Sequence, residues 1–352
     1  MKQLSKKTDL FQSVKNLILE AQNQIIRNVN STMVLTYFQN GSYIAESELK
    51  GKARANYAEK TMCQLSIDLT KEFGRGYSKS NLEYMRQFYK VYQQRFKQIV
   101  QPAIGQSNKQ LKTIQSPIGQ FSSPFALSWT HYIQLLKIQD NNERNFYEIE
   151  ASKDNWSVRE LQRQFNSSLY ERLALSRDKK SIRELAKKGQ IIEKPTDALK
   201  NHVILEFLDL KEDSSYSEND LENAIIDKLE NFMMELGKGF LFQARQKRFT
   251  FEGDSFFIDL VFYNRLLRCY LLLDLKIGKL SHQDIDQMQM YVNYYDRKMK
   301  LPEENPTIGI ILCKEENKTV IEFTLPENNE TIFAKEYKLY LPSKGELRKQ
   351  LE

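Results

Sequence analysis

Phe256-Phe257-Ile258-Asp259-Leu260-Val261-Phe262-Tyr263 and Leu271-Leu272-Leu273-Asp274-Leu275-Lys276 are two apolar runs, each carrying charge where charge is costly. They are short, rich in aromatic and branched residues, and lack a helical stripe, so both are expected to be buried strands. Strand side chains alternate faces, so Asp274 and Lys276 point one way and Leu275 the other. A hairpin turning around Leu266 and Leu267 sets Asp259 opposite Asp274, about 4.5–5.5 Å apart at Cβ. Two carboxylates so placed repel unless a cation lies between them. Mg²⁺ takes hard oxygen ligands and usually only one or two carboxylates, leaving room for water and phosphate. Lys276 then stands where it can polarise the attacking water or stabilise charge on phosphorus. The same spacing also suits a buried ion pair of Asp259 with Lys276 or Arg268 and no metal. Asn264-Arg265 is a mild turn signal with no glycine after it.

The downstream sequence favours the first reading. Ser281 with Asp284 has the spacing of a capping box. Ile285, Met288, Val292 and Tyr295 recur at helical intervals toward a core. Gln287 and Tyr291 lie four apart, sharing a face beside that stripe. Alone, such a pair reads as an ordinary polar flank. After an Asp-Leu-Lys strand it gains meaning.

The order Asp259, Asp274-Leu275-Lys276, Gln287-Met-Gln-Met-Tyr291 resembles the PD-(D/E)XK nucleases, in the branch whose helix carries a QxxxY motif. Glu235-Leu-Gly-Lys-Gly-Phe240, Leu275-Lys-Ile-Gly-Lys279, Gly74-Arg-Gly-Tyr-Ser78, Leu127-Ser-Trp-Thr-His-Tyr132 and Trp156-Ser-Val-Arg-Glu-Leu161 are similar to the bacterial YhcG-type nuclease family. The resemblance covers nearly the whole chain. It implies an α+β protein: a mainly helical N-terminal domain, then an α/β restriction-endonuclease-like domain with a mixed sheet. It implies that Asp259 and Asp274 are metal ligands with the Leu275 carbonyl, and that Lys276 is the catalytic lysine. Gln287 and Tyr291 would shape the site or touch the substrate strand. The remaining helix carboxylate is Glu222, with Asp227 as the other choice. Relatives usually have Glu where this chain has Asp274, which moves that ligand by one methylene. The implied activity is a Mg²⁺-dependent (or Mn²⁺-dependent) endonuclease on DNA. The alternatives are a catalytically silent module that binds nucleic acid or a partner, and an RNA-directed nuclease. A homodimer and association with restriction-modification or other DNA-processing proteins are expected partners.

Composition agrees with an intracellular two-domain protein. The 352 residues are 41% hydrophobic, and no apolar run is long enough to span a bilayer. The start, Met1-Lys-Gln-Leu-Ser-Lys-Lys-Thr, lacks an apolar secretion segment. Cys63, Cys269 and Cys313 are far apart and odd in number, as suits reduced cytoplasmic thiols. Three histidines without paired cysteines argue against zinc. Charge is divided: residues 1–200 hold 32 basic and 19 acidic residues (net +13), and residues 201–352 hold 20 and 27 (net −7). The basic half is the expected nucleic-acid surface and the acidic half suits a cation. The lesser alternative for this basic charge is a solvated face on a helical domain.

In the N-terminal half, the apolar spacing predicts a helix over 9–28, with Phe11, Val14, Ile18, Ala21 and Ile25 facing a core, and another over 31–39 stopped by Asn40-Gly41. A helix over 53–73, the connector at 74–78 and a basic helix from Ser78 or Ser80 resemble a helix-turn-helix, with Arg75, Lys79, Arg86 and Lys90 toward phosphates. A polar loop is expected at 98–123. The helical domain is placed at 8–190 and the nuclease-like domain at 200–345, joined near 190–200. Strands are expected at 240–244, 247–251, 255–263, 268–276 and 307–313, with a last edge strand at 337–341.

Overall fold

The computed structural model describes residues 2–50, 55–104, 124–175, 179–198, 200, 202–210, 216–251, 253–341 and 343–349. The chain divides into two compact units, Met1–Gln162 and Arg163–Glu352.

The first unit is helical: α1 (Lys2–Lys50), α2 (Ala55–Phe73), α3 (Lys79–Ile104), α4 (Trp129–Leu135) and α5 (Asn141–Lys153), with a 3₁₀ turn at Arg75–Tyr77. Its core is aromatic. Phe88 is fully buried, and its ring lies 4.9 Å from those of Phe125 and Tyr132 and 5.4 Å from Trp129. Such pairs add to the area they bury. Three expectations change here. Asn40-Gly41 does not stop a helix, and α1 runs straight through it. A Cβ on Gly41 would collide with the Met85 carbonyl, so glycine serves close approach of α1 to α3. The stripe Phe11, Val14, Ile18, Ala21, Ile25 is exposed among the described residues rather than core-facing. Residues 98–104 continue α3, and the rest of the expected loop, 105–123, lies outside the described residues.

Val158–Asn166 (α6) carries the chain into the second unit. There follow α7 (Leu169–Leu175), α8 (Lys179–Lys188), α9 (Pro195–Ala198), β1 (His202–Ile204), α10 (Glu218–Asp227), α11 (Leu229–Leu236), β2 (Phe240–Phe251), β3 (Asp254–Asn264), β4 (Cys269–Lys279), α12 (His282–Tyr294), β5 (Ile308–Glu315), α13 (Lys318–Thr324), β6 (Ile332–Lys338) and α14 (Lys344–Lys349). One mixed sheet has the order β1-β6-β5-β4-β3-β2. β2, β3 and β4 are antiparallel, while β4, β5, β6 and β1 are parallel. One face buries Leu271, Leu273 and Leu275 with Leu221 and Ile225 of α10 and Phe232 of α11. The other buries Leu272 and Ile311 with Ile285, Met288 and Tyr291 of α12. The last strand is β6, interior between β5 and β1, not an edge at 337–341.

The second unit takes in residues from Arg163 onward, and a cluster of charge ties that stretch to the sheet. Arg172 and Glu235 are fully buried and 2.6 Å apart. Arg163 reaches Glu206 at 3.0 Å and Glu235 at 3.3 Å, and Lys200 lies 3.6 Å from Glu235. Ile204 N–H donates to the same carboxylate at 3.0 Å. With so many partners, Glu235 is held down at about 2 against the penalty of burial, chiefly by Arg172 and Lys200.

Candidate active site

The β3–β4 hairpin closes on Asn264, which is fully buried. Its Oδ1 accepts from Leu266 and Leu267 N–H at 3.0 Å each, and its Nδ2 donates to the Lys238 carbonyl at 3.0 Å. An Asn side chain thus supplies what a glycine turn would otherwise provide. The hairpin pairs Leu260 with Leu273 through Asn264 with Cys269, the register predicted from the apolar runs. Asp259 and Asp274 are the next positions along it. Leu275 lies under α10 and α11, and Leu272 under α12. Asp274 and Lys276 continue the α12 face by alternation.

Asp274 is 3% exposed, and Lys276 Nζ lies 2.9 Å from its Oδ2. The Asp259 carboxylate is its other charged neighbour. Burial first, then the Asp259 carboxylate, pushes Asp274 up to about 7, with Lys276 pulling the other way. Burial pulls the Lys276 ammonium down, but Asp274, with Glu218 at 3.8 Å and Asp259, outweighs it and raises the group overall. Lys276 is therefore a fixed cation. Asp259 is steered at both ends: Oδ2 accepts from Leu275 N–H at 2.8 Å and Oδ1 from Gln246 Nε2 at 3.0 Å.

Glu222, on α10, is buried. Its Oε1 meets Arg245 Nε and its Oε2 accepts from Gln246 Nε2. It stands one amide away from Asp259. Asp227, at the end of α10, is exposed and has no part in this arrangement. On α12 the expected Ser281–Asp284 capping box forms. Gln287 Nε2 donates to the Tyr291 hydroxyl, which donates to the Phe257 carbonyl at 2.8 Å. Burial raises Tyr291, and the charges of Asp274 and Asp259 add to this. The QxxxY pair thus pins α12 to the strand carrying Asp259.

The set fits a hard divalent cation in part. Asp259 and Asp274 offer hard oxygen ligands, Asp274 from a buried position. Among the described residues no group of three or more His, Cys, Asp or Glu gathers closely enough to hold an ion. The pair alone matches what Mg²⁺ takes from protein side chains.

In the helical unit, Arg75 is exposed and Lys79 half-buried. Arg86 and Lys90 share Glu48, Arg86 directly and Lys90 at 3.7 Å, so part of that basic charge is neutralised within the unit.

Residues 196–352 match the YhcG PDDEXK nuclease domain and residues 13–172 the DUF1016 N-terminal domain. The chain is 37% identical to "Putative nuclease YhcG" of Escherichia coli (strain K12), over 97% of this chain and 92% of that protein. The chain belongs to the YhcG PDDEXK nuclease family. Among solved structures, it is similar to a repair endonuclease from Pyrococcus abyssi (19% identity, TM-score 0.25, 38% of this chain and 50% of that one). It is also similar to the EndoMS-dsDNA2 complex (14% identity, TM-score 0.26, 38% and 51%). It spans about half of either solved chain, and overlaps so partial leave the architecture resting on the sheet and the family match. Within this YhcG-family domain the sequence reading misses Arg245 and Gln246. Their one signal is the polar pair that breaks the apolar pattern between 240–244 and 247–251.

Proposed function

We propose that this protein is an endonuclease that hydrolyses DNA phosphodiester bonds with Mg²⁺, or Mn²⁺, held by Asp259 and Asp274 with the Leu275 carbonyl. The observation that carries the reading is the buried Asp274 carboxylate beside Asp259, with Lys276 Nζ 2.9 Å from it. When bound, such a cation lowers the pKa of its water and neutralises charge on the phosphate. Lys276 holds its proton and presents positive charge to the scissile phosphate. Leu275 N–H and Gln246 keep Asp259 oriented, and Tyr291 fixes the flank of the site through Phe257. The basic helical unit supplies the DNA-binding surface, with Arg75, Lys79, Arg86 and Lys90 as candidates, of which Arg86 and Lys90 are partly neutralised by Glu48.

The test is incubation of plasmid DNA, single-stranded DNA and RNA with the full chain in Mg²⁺ or Mn²⁺, beside Lys276→Ala. DNA cleavage is expected to fall by about 10²–10³-fold in the variant. Cleavage that survives the substitution rejects the site. Binding without cleavage in either metal rejects the activity and favours a silent binding module.

A further inference from the structure

We infer that Gln246 is a positioning residue: its amide bridges Asp259 and Glu222, orients Asp259 toward the cation and keeps Glu222 out of direct coordination. The inference rests on the reading of Asp259 and Asp274 given above. β2 pairs with β3 through Arg245–Leu260 and Lys247–Ile258, after an irregularity between Phe242 and Ala244. Gln246 falls between those pairs, facing Asp259, with φ of 46°. That left-handed conformation is unfavourable for a residue with a Cβ and persists only where the surroundings enforce it. Here it delivers the amide to a place the regular strand would not.

Gln246 Nε2 donates to Asp259 Oδ1 at 3.0 Å and also to Glu222 Oε2. A side-chain amide has two N–H groups, so both bonds form at once. The other Glu222 oxygen meets Arg245 Nε, and Arg245 Nη2 donates to Asn223 Oδ1 at 2.6 Å. Both Glu222 oxygens are therefore engaged, and an adjacent guanidinium offsets its charge. Direct ligation by Glu222 would have to compete with that guanidinium. Instead, α10 transmits its position to Asp259 through one side chain. Groups that orient a ligand in this way affect metal affinity although they never touch the ion.

The experiment is Mn²⁺ titration of the full chain by calorimetry, with thermal melts and steady-state cleavage of a DNA oligonucleotide. Gln246→Met keeps the length and removes both donors. It is expected to weaken Mn²⁺ binding about 10–100-fold and lower kcat similarly, with KM for DNA within about twofold. Glu222→Gln is expected to keep Mn²⁺ affinity within about threefold, whereas Asp259→Asn loses at least about tenfold. Wild-type Mn²⁺ affinity in Gln246→Met overturns the inference. So does a loss in Glu222→Gln equal to that in Asp259→Asn, which makes Glu222 a ligand. Asp259→Asn binding as tightly as wild type overturns the two-aspartate reading itself, and the inference with it.

Discussion

Two buried clusters of charge in the nuclease unit differ in how completely they are satisfied. Glu235 meets Arg172, Arg163, Lys200 and the Ile204 N–H, and sits at about 2. Asp274, buried as well, has one lysine and a like charge as neighbours, and sits at about 7. A carboxylate surrounded by more partners than it needs holds the fold together. A carboxylate left short of partners stores a demand for something else, which is the usual signature of a working site. The family's name would point to the second cluster, but the physics points there first.

The comparison is most exposed at Glu235. Replacing Glu235 with Ala leaves Arg172 buried without its counter-ion, and urea unfolding is expected to register a loss of about 3–5 kcal/mol. A loss below about 1 kcal/mol would mean that the cluster does not hold residues 163–204 to the sheet. A gentler probe is acid. The folded value of Glu235 lies below the ordinary 4.5, so its contribution is complete above about pH 4.5 and drains away as pH falls toward about 2. In that window the stability of the wild type should fall more steeply with pH than that of Glu235→Gln. Equal slopes in the two proteins would remove Glu235 from the account. The smallest effect has the opposite sign. Asp274→Asn removes an ionised group held against its preference, so at pH 8 it should gain about 1 kcal/mol while losing metal-dependent cleavage. Destabilisation by that substitution would place Asp274 in the same class as Glu235.

The sequence reveals the hairpin because a lone acid in each apolar run has only one register that keeps the leucines buried. The capping box at Ser281 and the QxxxY face are equally local, and both form. What stays hidden depends on distant partners. Gly41 looks like a stop signal, and only the approach of Met85 shows why the helix continues through it. The α1 stripe has the period of a buried face, but period cannot say what covers it. Glu222 carries the right chemistry on the right helix, and its link to Asp259 through Gln246 depends on an irregular strand and a left-handed residue that no local pattern announces. β1 is three residues long, below the length at which alternation can be recognised.

That short strand bears on biosynthesis. Its parallel partner is β6, with His202 matched to Glu336, so the two meet only after more than a hundred intervening residues have left the ribosome. The antiparallel trio β2–β4 is made of contiguous hairpins and closes without waiting. A nascent chain therefore assembles the strands bearing Asp259 and Asp274 before the sheet that supports them is complete. Premature termination ahead of Ile332 leaves β1 and the open side of β5 without their mate, an unpaired flank that invites aggregation and proteolysis.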